Sequence, residues 1–240
     1  MIRRALIIGS PDKDIPGVLD DMKNYRAFLK SFAGGAWFDQ EIITLESPTK
    51  LQLFTQLELL KSADYSFLVF AGHGGYSAYQ RVTMLKLNPS TDISENDLKV
   101  GASKRTVIID ACRVHIDKQP LREAMKAVLA MDSYRSADPS RALFDRSIEA
   151  CPPGLAVLYG CSVGEGAGET AGIGGRYSCA LLEVAGDWEN GYFTQRGTAL
   201  SVSDAHEKAG TLVSERSGGS QNPKGEFPRS LPRFPLAVKA

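Results

Sequence analysis

Tyr65-Ser66-Phe67-Leu68-Val69-Phe70-Ala71-Gly72-His73-Gly74-Gly75 is the stretch on which the rest of the chain turns. Its first seven residues make a run of strand length, rich in aromatic and branched side chains and without the alternation of a half-solvated strand. Such a run is buried on both faces, and strands of that kind belong to parallel sheets covered by helices. The run stops abruptly at a glycine-rich turn that carries one histidine. A second run, Thr106-Val107-Ile108-Ile109-Asp110, has the same character and stops at Ala111-Cys112-Arg113.

Working outward, residues 5–8 read as another buried strand. Residues 20–32 read as a helix with Met22, Tyr25, Phe28, Leu29 and Phe32 on one face. Residues 38–45 read as a strand, and Ser47-Pro48 opens a helix to about residue 61. Residues 82–87 alternate like a small hairpin, and Ser94 with Asp97 resembles a capping box for a short helix. Beyond Cys112 come a helical segment near 121–131, a strand at 155–159 that stops at Gly160-Cys161-Ser162, helices near 177–185 and 201–217, and an irregular tail. Strands alternating with helices predict an α/β fold, a mostly parallel sheet of about six strands with helices on both faces. No internal repeat is present.

The 240 residues are 43% hydrophobic and 23% charged, with 28 basic side chains against 28 acidic. This is the composition of an ordinary globular domain. Balanced charge gives no electrostatic case for a nucleic acid or an anionic membrane. No apolar run approaches the ~20 residues that span a bilayer, and the run at 5–9 breaks at Ser10-Pro11-Asp12, short of a signal peptide. A cytoplasmic protein is expected, without nucleic acid or membrane partners. Its cysteines, Cys112, Cys151, Cys161 and Cys179, form no C-x-x-C pair, so reduced thiols are expected.

In open parallel sheets the ligand site forms beyond the carboxyl ends of the strands. His73, Cys112 and the glycine-rich 161–175 loop each follow an apolar strand and so converge there. An imidazole beside a thiol takes its proton or, when charged, stabilises the thiolate. Taken singly, a cysteine after a buried strand is a small core residue, and a histidine between glycines merely tolerates a tight turn. Taken together, they read as nucleophile and general base. Cys151 and Cys179 read as structural, and His206 as a solvated residue of a polar helix.

Phe70-Ala71-Gly72-His73-Gly74-Gly75 resembles the strand-end His-Gly motif of caspases and metacaspases, and Ile108-Ile109-Asp110-Ala111-Cys112-Arg113 resembles the strand end carrying their catalytic cysteine. Leu6-Ile7-Ile8-Gly9 with Ile15-Pro16-Gly17 and Asp20-Asp21 is similar to the metacaspase start. Tyr159-Gly160-Cys161-Ser162 through Glu169, with residues 175–182, is similar to their small-subunit strand, acidic loop and helix. Gln221-Asn222-Pro223 and Phe234-Pro235-Leu236 fit their ending. The resemblance implies a single caspase-like peptidase domain over 1–240, made of a large-subunit-like part (1–112), a connecting segment (113–153) and a small-subunit-like part (154–240).

By that resemblance Cys112 attacks the scissile carbonyl of a protein or peptide, His73 moves the protons, and the backbone N–H groups of Gly74 and Cys112 form the oxyanion hole. A thioester acyl-enzyme follows. Asp110 matches the metacaspase aspartate two residues before the cysteine, and Glu169 stands where a second aspartate is usual. With Glu165 they imply a pocket for Arg or Lys, since paired carboxylates suit a guanidinium. The bland alternative for Glu165 and Glu169 is a solvated acidic loop. Arg135, Arg141 and Arg146 are candidate self-cleavage sites; the alternative is exposed arginine on surface helices. The resemblance also implies a regulatory or cell-death role, in bacterial defence, with room for a regulatory protein partner.

Other chemistries fit less well. Gly164-Glu165-Gly166-Ala167-Gly168 lacks the lysine of a phosphate loop and carries a repelling glutamate. Cys112 and His115 have zinc half-site spacing without a second pair. No G-x-S-x-G elbow occurs. The acidic groups Asp12, Asp14, Asp20, Asp21 and Asp92, Glu95, Asp97 lack EF-hand spacing, so no cofactor or metal is expected, with calcium left open. The competing reading from a different class is a catalytically silent caspase-like protein-interaction module.

Overall fold

The computed structural model describes residues 1–116, 138–170 and 172–240. In chain order the elements are β1 (Arg3–Ser10), α1 (Val18–Lys30), β2 (Ile42–Glu46), α2 (Lys50–Leu60), β3 (Tyr65–Gly72), β4 (Gly74–Ser77), β5 (Val82–Asn88), β6 (Thr91–Ser94) and β7 (Lys104–Asp110). From residue 138 onward come α3 (Pro139–Ala150), β8 (Gly154–Tyr159), β9 (Glu169–Thr170), β10 (Gly174–Gly175), α4 (Arg176–Asn190), β11 (Thr198–Ser201), α5 (Val202–Arg216), β12 (Lys224–Glu226) and β13 (Pro235–Lys239).

The central sheet has six strands in the order β2-β1-β3-β7-β8-β12. The first five run parallel, and β12 closes the edge antiparallel to β8. Successive side chains of a strand point to opposite faces, and the core divides accordingly. Tyr65, Phe67 and Val69 face one cluster with Ile108, Tyr25, Leu181 and Phe234, beneath α1, α3, α4 and α5. Leu68 and Phe70 face the other with Ile109, Leu53 and Leu57 of α2, and Leu85 of the small β4-β5-β6 sheet. Helices therefore cover both faces, as the uninterrupted apolar runs require.

Several local expectations shift. α1 ends at Lys30, and Phe32 lies beyond it, 66% exposed rather than on the buried face. Thr49, not Ser47-Pro48, caps α2, its hydroxyl accepting the Gln52 N–H in a capping box. Residues 39–41 form a single 3-10 turn before β2. The tail contains two strands: β12 pairs with β8, and buried β13 pairs with β11. The helix expected near 121–131 lies outside the described residues. Among those described, no helix is long and apolar enough to cross a membrane.

Candidate active site

β2 lies on one side of β1 and β3 on the other. The gap beyond the carboxyl ends of β1 and β3 is therefore the switch point of the sheet, where crevices form. Ala71 of β3 pairs with Asp110 of β7, so each strand, continued by two residues, brings His73 level with Cys112. Both side chains line one cavity of about 40 Å³, together with Asp21, Asp110, Ala167 and Glu169.

His73 Nε2 lies 2.7 Å from Asp12 Oδ2, across from the turn that follows β1. Asp12 Oδ1 accepts the Asp14 N–H at 2.9 Å. That hydrogen bond, and then the charge of His73, hold the Asp12 carboxyl below its usual range. The Cys112 sulfur accepts the Ala167 N–H at 3.2 Å and stands 3.6 Å from the Ala167 carbonyl oxygen. A Cβ on Gly74 would stand 2.6 Å from the Cys112 carbonyl oxygen. Only glycine lets these two backbones approach so closely.

Three carboxylates meet at the cavity. Asp110 Oδ2 accepts the Ser178 N–H at 2.9 Å and the Ser178 hydroxyl at 2.7 Å. Both oxygens of Asp21 accept the Gly175 N–H at 2.9 Å, and Glu169 Oε2 accepts the Gly17 N–H at 3.2 Å. Burial pushes Asp110 up, and burial followed by the charge of Asp110 pushes Asp21 up to about 8. Gly175 has to be glycine, because a Cβ there would run into the Asp110 carboxylate. From the sequence alone Asp21 reads as a turn or helix-cap residue at the start of the helix expected over 20–32. Its signal was available: a carboxylate that falls on the apolar face of α1, beside Met22 and Tyr25, wants a buried partner.

Glu165 does not join these three. Although burial raises it, donors from Asn222 and Ser162 hold its carboxyl below the usual range. Its oxygens take the Asn222 N–H at 2.7 Å, the Asn222 amide at 2.9 Å and the Ser162 N–H at 3.1 Å. Glu165 therefore braces its own loop and is absent from the cavity lining. Gln221, 1% exposed, does similar work from the tail. Its amide donates to the Gly160 carbonyl at 2.8 Å, and its oxygen accepts from the Gly168 N–H and from Arg176, each at 3.0 Å.

Other residues singled out from the sequence stand elsewhere. Arg141 lies on α3, paired to both oxygens of Glu41 at 2.8 and 2.6 Å and stacked over Phe38. Arg146 is on the same helix, and Arg135 lies outside the described residues. Cys161 is fully buried, its thiol directed at the Ala111 and Glu165 carbonyls. His115 packs edge-on against Tyr76. His206 is not solvated: Tyr177 meets its Nδ1 at 2.6 Å, and burial lowers it to about 4. It borders a separate groove of about 640 Å³ along α5 and β12, away from both His73 and Cys112. Among the described residues no group of three or more His, Cys, Asp or Glu could hold a metal ion.

The family model described as "Caspase domain" matches residues 2–231. The chain belongs to the caspase domain family. Among solved structures, caspase-1 from Spodoptera frugiperda superposes with a TM-score of 0.60 at 15% identity, covering 99% of this chain and 90% of that one. At that identity the likeness shows the caspase-like fold. No curated protein sequence gives a significant match. Membership in the caspase domain family supports a cysteine-protease function acting on protein substrates.

Proposed function

We propose that this caspase domain is a cysteine endopeptidase in which Cys112 is the nucleophile and His73 the general base. The observation that carries this reading is the shared cavity at the sheet's switch point, lined by an imidazole and a thiol from neighbouring strands. His73 takes the thiol proton, the sulfur attacks the scissile carbonyl, and the N–H groups of Gly74 and Cys112 receive the oxyanion. The imidazolium then protonates the leaving amine, and water releases the acyl group from sulfur.

The primary pocket in this reading is acidic, as in metacaspases, with Asp110, Asp21 and Glu169 as its walls. Asp21, held protonated to about pH 8 by burial and by Asp110, gives up its proton once a cation is seated, because an opposite charge favours the ionised form. Cleavage after Arg or Lys follows. Entry has to displace the 166–168 backbone from the sulfur, because a cavity of about 40 Å³ accommodates a few waters and no guanidinium. Self-processing, if it occurs within α3 at Arg141 or Arg146, requires that helix to open first, and at Arg141 also the loss of its Glu41 pair. Arg135, outside the described residues, is the remaining candidate.

Fluorogenic peptides ending in Arg, Lys or Asp, tested with the wild type and Cys112→Ala, decide this reading. Hydrolysis after Arg or Lys, absent in Cys112→Ala, is expected. Cleavage after Asp alone overturns the pocket assignment, and no thiol-dependent hydrolysis of any peptide leaves the protein-interaction module as the better reading.

A further inference from the structure

We propose that Asp12 is a positioning residue of this site: its carboxylate holds the His73 ring at Nε2, so that Nδ1 serves the Cys112 thiol. The proposal rests on the assignment of His73 and Cys112 made above. It starts from a contact between residues 61 positions apart, Asp12 Oδ2 and His73 Nε2 at 2.7 Å. They sit on the turns that follow β1 and β3, the two strands that flank the switch point.

The two oxygens of Asp12 divide their work. Oδ1 accepts the Asp14 N–H, an ordinary turn contact that accounts for an aspartate after a strand. Oδ2 is left over from that role and meets the imidazole. A carboxylate accepts only, so the Nε2 facing it carries the hydrogen and the proton-free nitrogen is Nδ1. His73 is flanked by Gly72 and by Gly74-Gly75, whose missing side chains leave its ring little to lean on. A fixed ring therefore needs a partner of its own. The three carboxylates that line the cavity are committed to backbone donors, Asp110 to Ser178, Asp21 to Gly175 and Glu169 to Gly17, whereas Asp12 lies outside that lining and meets the ring from the turn after β1. Lys86 is the cation that acts on Asp12 besides His73.

In the reaction the S–H bond of Cys112 breaks, its electron pair stays on sulfur, and an N–H bond forms at Nδ1 of His73. Asp12 remains ionised and offsets the imidazolium charge until the proton passes to the leaving amine. A base oriented by a third group is the general arrangement for an activated nucleophile.

The test compares Asp12→Asn, Asp12→Glu and His73→Ala by kcat and KM on an Arg or Lys peptide, and by the rate of Cys112 alkylation with iodoacetamide from about pH 5 to 9. For Asp12→Asn, kcat is expected to fall on the order of 10- to 100-fold with KM little changed, the scale of losing an oriented base. Its alkylation at pH 6 is expected to fall on the order of tenfold, because the thiolate–imidazolium pair loses its counter-charge. Asp12→Glu restores part of both. Asp12→Ser, which keeps a turn cap without the charge, gives the same readings if Asp12→Asn folds poorly. A lower melting temperature with unchanged kcat and alkylation profile reduces Asp12 to a turn residue and overturns the proposal. Alkylation needs no peptide turnover, so it reads the pair even in a chain that cleaves nothing. If His73→Ala alters alkylation and Asp12→Asn does not, Asp12 is excluded while the pair stands; if neither alters it, the pair falls and Asp12 with it.

Discussion

Cys112 and Cys161 make a natural experiment within one molecule. They follow adjacent parallel strands, β7 and β8, at the same rim of the same sheet, after equally apolar runs. Their sulfurs nevertheless differ in burial and in the balance of donors and acceptors around them. Cys161 is sealed in, pointing at two carbonyl oxygens, and burial followed by the charges of Asp110 and Cys112 pushes it up to about 12. Cys112 is half-buried, receives an N–H from Ala167 at 3.2 Å with the Ala167 carbonyl farther off at 3.6 Å, and shares a cavity with His73. Carbonyls stabilise S–H, whereas N–H groups and an imidazole serve a sulfur that carries charge. A strand-end position brings a thiol to the rim, and the polarity of its immediate neighbours decides what it can do there.

The largest expected effect that would break this contrast is on turnover. Cys112→Ala should lower kcat/KM by about 10³-fold or more, as loss of a nucleophile does, and Cys161→Ala by less than about threefold, its cost of about 1 kcal/mol falling on urea stability instead. Equal losses from both would erase the distinction. Next comes the pocket that only Cys112 faces. Asp21→Asn should reduce kcat/KM on an Arg peptide by about 10- to 100-fold, the worth of a charged hydrogen bond of ~1.5–3 kcal/mol. An unchanged value would remove Asp21 from the pocket. Labelling sharpens the comparison without catalysis: iodoacetamide on the native chain at pH 7 should modify Cys112 and leave Cys161 untouched until urea is added, with peptide mass mapping as the readout.

The smallest effects are on stability against pH, and they carry opposite signs. Folded Asp21 keeps to about pH 8 a proton that the unfolded chain releases near 3.8, so its contribution falls as pH rises through that window. Asp21→Asn should therefore raise the melting temperature at pH 8 more than at pH 5. His206, lowered to about 4, refuses a proton that the unfolded chain takes up below 6.5, so stability is lost as pH falls from 6.5 toward 4. His206→Gln should flatten that acid limb. Melting curves at pH 5 and 8 check both, with shifts of a few degrees expected.

The fold was largely legible in the sequence. The runs at Tyr65 and Thr106 could only be doubly buried parallel strands, and their ends named His73 and Cys112. What escaped the sequence reading depends on distant partners. Asp12 and Asp21 read as turn or helix-cap residues until the turn after β3 and the loop before α4 arrive beside them. Lys224-Gly225-Glu226 has no strand character of its own; it is extended because it hydrogen-bonds to β8. Tyr177 and Phe227 enclose His206, although its helical neighbours Glu207 and Lys208 are charged. Glu165 and Glu169 are alike in type and four residues apart, yet one braces the loop with Asn222 and the other lines the cavity.

Gln221 has a consequence in time as well as in space. It ties together the end of β8, the loop over Cys112 and the start of α4, and it stands 109 positions after the thiol that loop covers. A ribosome that has just released Cys112 has not yet made the residue that sets the cavity's wall. The nascent chain therefore carries a thiol and an imidazole without the loop that walls their cavity, and that wall waits for translation to pass Gln221.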